Sequence, residues 1–132
     1  MLELIELREG RQEDFKFITK TFTSGLYFGN DFFKEVPKEI FFNYFPILVN
    51  ELLSVSSVKV ACLKEDPDVI LGYSLFRGSR LHWIYVKQAW RKNGISKLLV
   101  PLEINTCTYL TKVGKSLKPK EWIFNPFLIG EK

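Results

Sequence analysis

A short apolar strand that turns through a basic loop into a helix constrains this chain more than any other segment. Residues 80–99 read Arg-Leu-His-Trp-Ile-Tyr-Val-Lys-Gln-Ala-Trp-Arg-Lys-Asn-Gly-Ile-Ser-Lys-Leu-Leu. Leu81 to Val86 predicts a strand and Lys87 to Asn93 a loop. After Gly94, the residues Ile95, Leu98, Leu99 and Leu102 recur with helical spacing. A strand that turns sharply into a helix gathers unpaired backbone N–H groups and the positive end of a helix dipole at one point. Phosphate suits such a point, and Arg91 and Lys92 stand where their charge adds to it. Gly94 lets the backbone approach a ligand closely or take a φ that other residues avoid.

Elsewhere the pattern alternates between the two periods. Leu2–Arg8 reads as a strand, and Arg11–Phe22 as a helix with Phe15, Ile18 and Phe22 on one face and Glu13 and Asp14 in its first turn. Thr23–Val36 contains Ser24-Gly25 and Gly29-Asn30 and has no clear period, which predicts a loop. Its aromatics (Tyr27, Phe28, Phe32, Phe33) are costly to expose, so they pack down as a lid or line a pocket. Pro37 starts a helix carrying Ile40, Phe41, Tyr44, Phe45, Leu48 and Leu52, which Pro46 should break or kink near Phe45. Val58–Lys64 and Val69–Phe76 flank the turn Glu65-Asp66-Pro67-Asp68 and predict a hairpin, with Gly78 leading into the strand Arg80–Val86. Pro101 should shorten the helix that follows Gly94. Asn105–Leu110 predicts a strand, Thr111–Leu117 a short helix at best, and Trp122–Ile129 a last strand interrupted at Asn125-Pro126.

A chain of 132 residues is long enough to bury one core without staples, and its 12 phenylalanines predict a bulky aromatic one. No run of about 18 apolar residues occurs and Met1–Gly10 is acidic rather than leader-like, so the expectation is a cytoplasmic protein that does not enter a membrane. Cys62 and Cys107 lack metal-ligand spacing and read as buried small hydrophobes. One histidine and two scattered cysteines do not make a typical transition-metal site. Charge is uneven. Residues 87–120 hold eight basic side chains (Lys87, Arg91, Lys92, Lys97, Lys112, Lys115, Lys118, Lys120) against Glu103 alone, whereas residues 1–57 hold nine acidic and six basic ones. Such an excess predicts a polyanionic partner, unless it is in part a solvated lysine face.

The stretch Arg91-Lys92-Asn93-Gly94-Ile95-Ser96, with Val86 five residues before the arginine, resembles the acetyl-CoA pyrophosphate loop of the GNAT superfamily of N-acetyltransferases. The family pattern is Gln/Arg-x-x-Gly-x-Gly/Ala; here Ser96 replaces the final small residue and Lys92 a frequent second glycine. Leu7 to Phe15 (Leu-Arg-x-Gly-x-x-Glu-Asp-Phe) is similar to the start of many family members, and the order β-α-α-β-β-β-α-β-α-β is the family's order. In size and in the Tyr-Val-Lys…Arg…Gly-Ile stretch the chain is also similar to small phage-encoded acetyltransferase-like proteins. The resemblance implies a single α/β (α+β) domain over residues 1–132. Its central sheet would be mixed and mostly antiparallel, flanked by helices and splayed between the fourth and fifth strands. It also implies acetyl-CoA or another acyl-CoA as co-substrate, no metal, and an amine acceptor, small molecule or protein, that attacks the thioester directly. Backbone groups of Ile84, Tyr85 and Val86 would pair with the pantetheine arm, and the N–H groups of Lys92, Asn93, Gly94, Ile95 and Ser96, beside Arg91, would hold the pyrophosphate.

Direct transfer also calls for a group that takes a proton from the amine and one that protonates the leaving thiolate. His82 is the only histidine and lies on the right strand for the first task; it also reads, and more simply, as a satisfied strand histidine beside Trp83. The family's usual thiolate donor is a tyrosine on the helix after the fifth strand. Thr111–Leu117 has none, so Tyr109 and Ser116 stand as substitutes, and Tyr109 also reads as core. Two rival functions follow: a non-catalytic acyl-CoA-binding or interaction module, and a nucleic-acid-associated protein using residues 87–120. Either a monomer or a homodimer fits.

Overall fold

The computed structural model describes residues 2–129. In chain order the elements are β1 (Ile5–Glu9), α1 (Phe15–Gly29), α2 (Asp31–Lys34), α3 (Lys38–Val55), β2 (Ser57–Leu63), β3 (Ile70–Arg77) and β4 (Arg80–Val86). There follow α4 (Ile95–Leu99), β5 (Thr106–Cys107), α5 (Lys112–Leu117) and β6 (Ile123–Phe124). The strands form one sheet in the order β1-β2-β3-β4-β5-β6. The first four are antiparallel neighbours, and β5 and β6 add in parallel.

Two apolar layers sandwich this sheet. Ile18, Phe22 and Leu26 of α1 and Phe41, Phe45 and Val49 of α3 pack against Val60, Cys62, Tyr73, Leu75 and Trp83. On the opposite face Ile95 and Leu99 of α4 meet Ile5, Ala61 and Leu71, with Ile84, Val86 and Trp90 around them. Strand alternation puts Trp83 and Tyr85 toward the first layer and Ile84 and Val86 toward the second. Two β-bulges adjust the register: Leu71 is the extra residue opposite β2, and His82 the extra residue opposite β3. Cys62 and Cys107 are both free and buried.

The segment Thr23–Val36, expected as a loop, is mostly helical: α1 continues to Gly29 and α2 follows after Asn30. Gly25 reads as a turn signal but serves packing, because a Cβ there would lie 2.8 Å from Cζ2 of Trp83. The true stop is Asn30, at φ −138° and ψ 117°. Its carbonyl oxygen Oδ1 accepts from the amides of Phe32 (2.9 Å) and Phe33 (3.4 Å), and Nδ2 donates to the Leu110 carbonyl at 2.8 Å. Of the aromatics in this segment Tyr27 is buried and bonds the Val36 carbonyl, whereas Phe28 and Phe32 stay exposed. Of the break or kink expected at Pro46, the break does not occur: α3 runs through it to Val55. Proline removes one backbone bond, and the buried row Phe41, Phe45, Val49, Leu52 and Leu53 holds both halves in place. Ile40, Tyr44 and Leu48 are exposed rather than core. The strands expected over Asn105–Leu110 and Trp122–Ile129 shrink to two residues each, the latter giving way to a 3-10 turn at Pro126–Leu128.

The start of the chain is fastened by a nearly buried ion pair. Arg8 of β1 donates to both carboxylate oxygens of Asp14, at 2.7 and 2.9 Å, and to the Pro67 carbonyl at 3.1 Å. The Arg11 amide adds a 2.7 Å bond to Asp14. Burial opposes ionisation of Asp14, but the Arg8 and Arg11 bonds outweigh it and hold the carboxyl below its ordinary range. A depressed folded value means that this stabilisation is present above the unfolded pKa and is lost as pH falls through the folded one. Asp14→Asn strands Arg8 in a nearly dry site and should cost about 3 kcal/mol in urea unfolding at neutral pH. It should also flatten the loss of stability that the wild type shows at pH below its unfolded carboxylate range.

Candidate active site

Parallel pairing between β4 and β5 covers only Arg80 with Thr106 and Leu81 with Cys107. The last backbone bond across this seam runs from the Thr108 amide to the Leu81 carbonyl at 3.1 Å. Beyond it β5 gives way to the chain leading to α5, and β4 continues alone on that side to Val86. The ladder with β3 aligns Tyr85 with Tyr73 and Trp83 with Leu75, and the Lys87 amide donates to the Leu71 carbonyl at 2.8 Å. By the alternation of an antiparallel ladder, the backbone groups of Tyr85 point to β3 and those of Ile84 and Val86 to the opened side. Of Ile84, Tyr85 and Val86, the first and last thus turn backbone groups to the opened side and Tyr85 turns its own to β3.

The loop that follows is held by its own side chains. Arg91 Nε donates to the Val86 carbonyl at 2.8 Å, folding the loop back on the strand end. Asn93 Nδ2 donates to the Trp90 and Arg91 carbonyls at 3.3 Å each, and Trp90 packs against the Ile95–Leu99 layer. Lys92 (φ 66°) and Gly94 (φ 83°) both adopt left-handed backbone. For Lys92 this is a strained choice, one that a glycine would adopt at little cost. Gly94 serves as the N-cap of α4, whose Ile95 and Leu99 are buried while Ser96 and Lys97 face solvent. Ser74, buried under the helix, donates to the Leu99 carbonyl at 2.7 Å and closes its other end. Arg91, Lys92, Asn93, Gly94, Ile95 and Ser96 therefore come together around one turn, beside the opened edge of β4.

The acid–base candidates do not converge in the same way. His82 sits on the β4 bulge, 2% exposed, with Nδ1 2.7 Å from Thr108 Oγ1. This contact joins β4 to the end of β5 where the two part. Burial, with Arg80 and Arg77 nearby, lowers its pKa to about 4, so the ring is uncharged near neutrality. Tyr109 makes edge contacts with Phe22 and Phe45 in the helical layer, and burial pushes its phenol up to about 12. Ser116 is exposed on α5 and donates to the Val113 carbonyl at 2.8 Å. Thr108, Ser74 and Asn30 were not singled out in the sequence, because nothing in local pattern marks a hydroxyl or amide whose partner lies tens of residues away.

Part of the basic run is already engaged. Lys112 pairs with Asp31 at 2.8 Å, and Lys118 donates to the Pro119 and Trp122 carbonyls. Lys87 lies over the Phe17 ring at 5.9 Å. Among the described residues no cluster of His, Cys, Asp and Glu has the makings of a metal site, and no helix is long and apolar enough to cross a membrane.

No protein-family model and no curated protein sequence matches the chain. Solved structures do. The chain is similar to a possible acetyltransferase from Clostridium difficile 630, with 20% identity and a TM-score of 0.57 over 92% of this chain and 94% of that one. It is also similar to apo-form YjaB from Escherichia coli, with 20% identity and a TM-score of 0.52 over 72% of this chain. The match spans 60% of the YjaB chain. At this identity the likeness is one of fold: a six-strand mixed sheet, antiparallel through β4 and parallel beyond it, in which β4 runs through a turn into α4 before β5.

Proposed function

We propose that this chain binds acetyl-CoA, or a related acyl-CoA, where β4 parts from β5, and that it transfers the acyl group to an amine. The observation that carries this reading is the unpaired edge of β4 running directly into a turn with two left-handed residues. Ile84 and Val86 present backbone groups to an extended amide-bearing arm, in the manner of a missing strand. The N–H groups of Lys92 to Ser96 converge on a diphosphate, and Arg91, anchored on Val86, adds fixed positive charge. A backbone N–H of β4 beside the thioester carbonyl would stabilise the negative charge that develops when the amine attacks. The wall formed by the end of α1, α2 and α3 supplies the acceptor side, and the exposed rings of Phe28 and Phe32 suit an acceptor with apolar parts. The chain is read as acting in the cytoplasm.

A second reading, acyl-CoA binding without transfer, is favoured by the acid–base candidates. The Tyr109 ring packs half-buried against the core, Ser116 bonds within its own helix, and His82 contacts Thr108. On the first reading the amine nitrogen bonds the acyl carbon as the C–S bond breaks, the nitrogen gives its proton to water and the leaving thiolate takes one from water, and His82 acts as a latch at the fork. That latch has a signature in stability. A histidine whose folded pKa lies near 4, below its ordinary 6.5, makes the folded state resist protonation. Its contribution is complete above about pH 6.5 and is lost as pH falls toward about 4, amounting to about 2–3 kcal/mol. His82→Gln should remove this slope in urea unfolding measured across that range; a wild-type profile that is flat there overturns the buried, neutral assignment.

Calorimetric titration with acetyl-CoA tests the site itself. Micromolar binding is expected for the wild type. Arg91→Ala should weaken it about tenfold or more through the lost charge and tether, and Gly94→Val should abolish it because φ 83° excludes a β-branched residue. Absence of wild-type binding overturns the reading. Thiol release from acetyl-CoA with a panel of primary amines then separates transfer from binding alone.

A further inference from the structure

We propose that the outer face of α3 is a docking surface for a second copy of this chain, set antiparallel about a two-fold axis at the midpoint of Ile47 and Leu48. On a helix of 3.6 residues per turn, Ile40, Tyr44, Ile47, Leu48, Glu51 and Val55 fall in one stripe about 100° wide and about 22 Å long. The five apolar members are 48%, 66%, 54%, 49% and 45% exposed, in that order without Glu51. Single exposed apolar residues need no explanation. Five in one row are different, because α3 already covers the core with its neighbouring row Phe41, Phe45, Val49, Leu52 and Leu53. The helix thus carries two apolar faces, and only one has a partner within the described residues.

The stripe's own order identifies that partner. Reversing α3 end for end about its midpoint exchanges Ile40 with Val55, Tyr44 with Glu51, and Ile47 with Leu48. A second α3 laid antiparallel therefore meets apolar with apolar at every level but two, which the axis relates to each other. At each of these the Tyr44 phenol of one copy lies against the Glu51 carboxylate of the other, a donor matched to the stripe's single charge. Such a patch is self-complementary, as an isologous contact requires. An unrelated partner has no reason to match this symmetry. The stripe exposes on the order of 500 Å² of side chain, most of the roughly 800 Å² per partner that a stable contact buries. Asn43, Asn50 and Ser54 edge it with a polar rim.

Sedimentation equilibrium at micromolar protein, with Ile47→Glu beside the wild type, tests this contact. The wild type should be a dimer. Ile47→Glu places two carboxylates at the axis of each dimer and should weaken association at least tenfold, with the thermal midpoint of the monomer fold retained because the position is solvent-exposed. Register is read by cross-linking. Tyr44→Cys and Glu51→Cys chains should form a disulfide when mixed under oxidising conditions, and neither should do so alone. Like positions stand about 10 Å apart along the pair, beyond the about 7 Å Cα span of a disulfide. Cys62 and Cys107 are buried and do not compete. A monomeric wild type, a dimer indifferent to Ile47→Glu, or cross-linking of Tyr44→Cys with itself would each overturn the proposal.

Discussion

Backbone amides and carbonyls inside a sheet need partners, and β4 loses its partner on one side after Leu81. The rest of the molecule is arranged around that loss. On the sheet side, β3 holds Trp83 and Tyr85 in register. At the fork, the Thr108 amide bonds Leu81 and the Thr108 hydroxyl bonds His82. At the far end Arg91 satisfies the Val86 carbonyl and turns the chain into α4. What is left open is a short length of strand edge with two donors and an acceptor free. Water satisfies such an edge when nothing else is bound, and an extended amide-bearing ligand satisfies it in a fixed register.

The helical layer keeps this edge rigid. Trp83 stacks on Phe22 with ring centroids 4.6 Å apart and an interplanar angle of 9°, and Phe22 meets Phe45 and Tyr109 edge-on. Side chains of β4, α1, α3 and the segment after β5 therefore share one aromatic cluster. Gly25 is the condition for it, since only a residue without Cβ lets α1 come down on the indole. The same cluster holds the half-buried Tyr109 ring edge-on to Phe22 and Phe45.

Sequence reading located the strand–loop–helix unit at residues 80–99 because its signals are local: an apolar run, a basic loop, a glycine and a helical period. The hairpin of β2 and β3 was legible for the same reason. The errors arose where tertiary contacts reverse a local preference. Ser24-Gly25 reads as a turn until Trp83 is set against it, and of the break or kink that Pro46 suggests, the break is overridden by the buried row on either side. Residues 105–129 read as longer strands than they form, since β propensity marks residues that suit a sheet but not how far a neighbour accompanies them. His82 was found, but its partner Thr108 was not, so its burial and lowered pKa became visible only in three dimensions.

The brevity of β5 and β6 carries a consequence for how the molecule opens. Each strand has two residues, and among the described residues this region is tied to the main sheet and helices largely by single bonds: the Asn105 and Thr106 amides on Ser79, the Thr108 amide on Leu81, the His82 contact, the Asn30 amide on Leu110, the Lys112–Asp31 pair and the Arg80 guanidinium on Leu128. The four antiparallel strands are joined by far longer ladders. Opening free energies follow such differences, so amides of residues 105–125 should exchange with solvent well before those of β2 and β3. One wall of the cleft is thus a scaffold and the other a door. A molecule seated between them would be registered chiefly as slowed exchange on the door side, far from where most of the fold's stability resides.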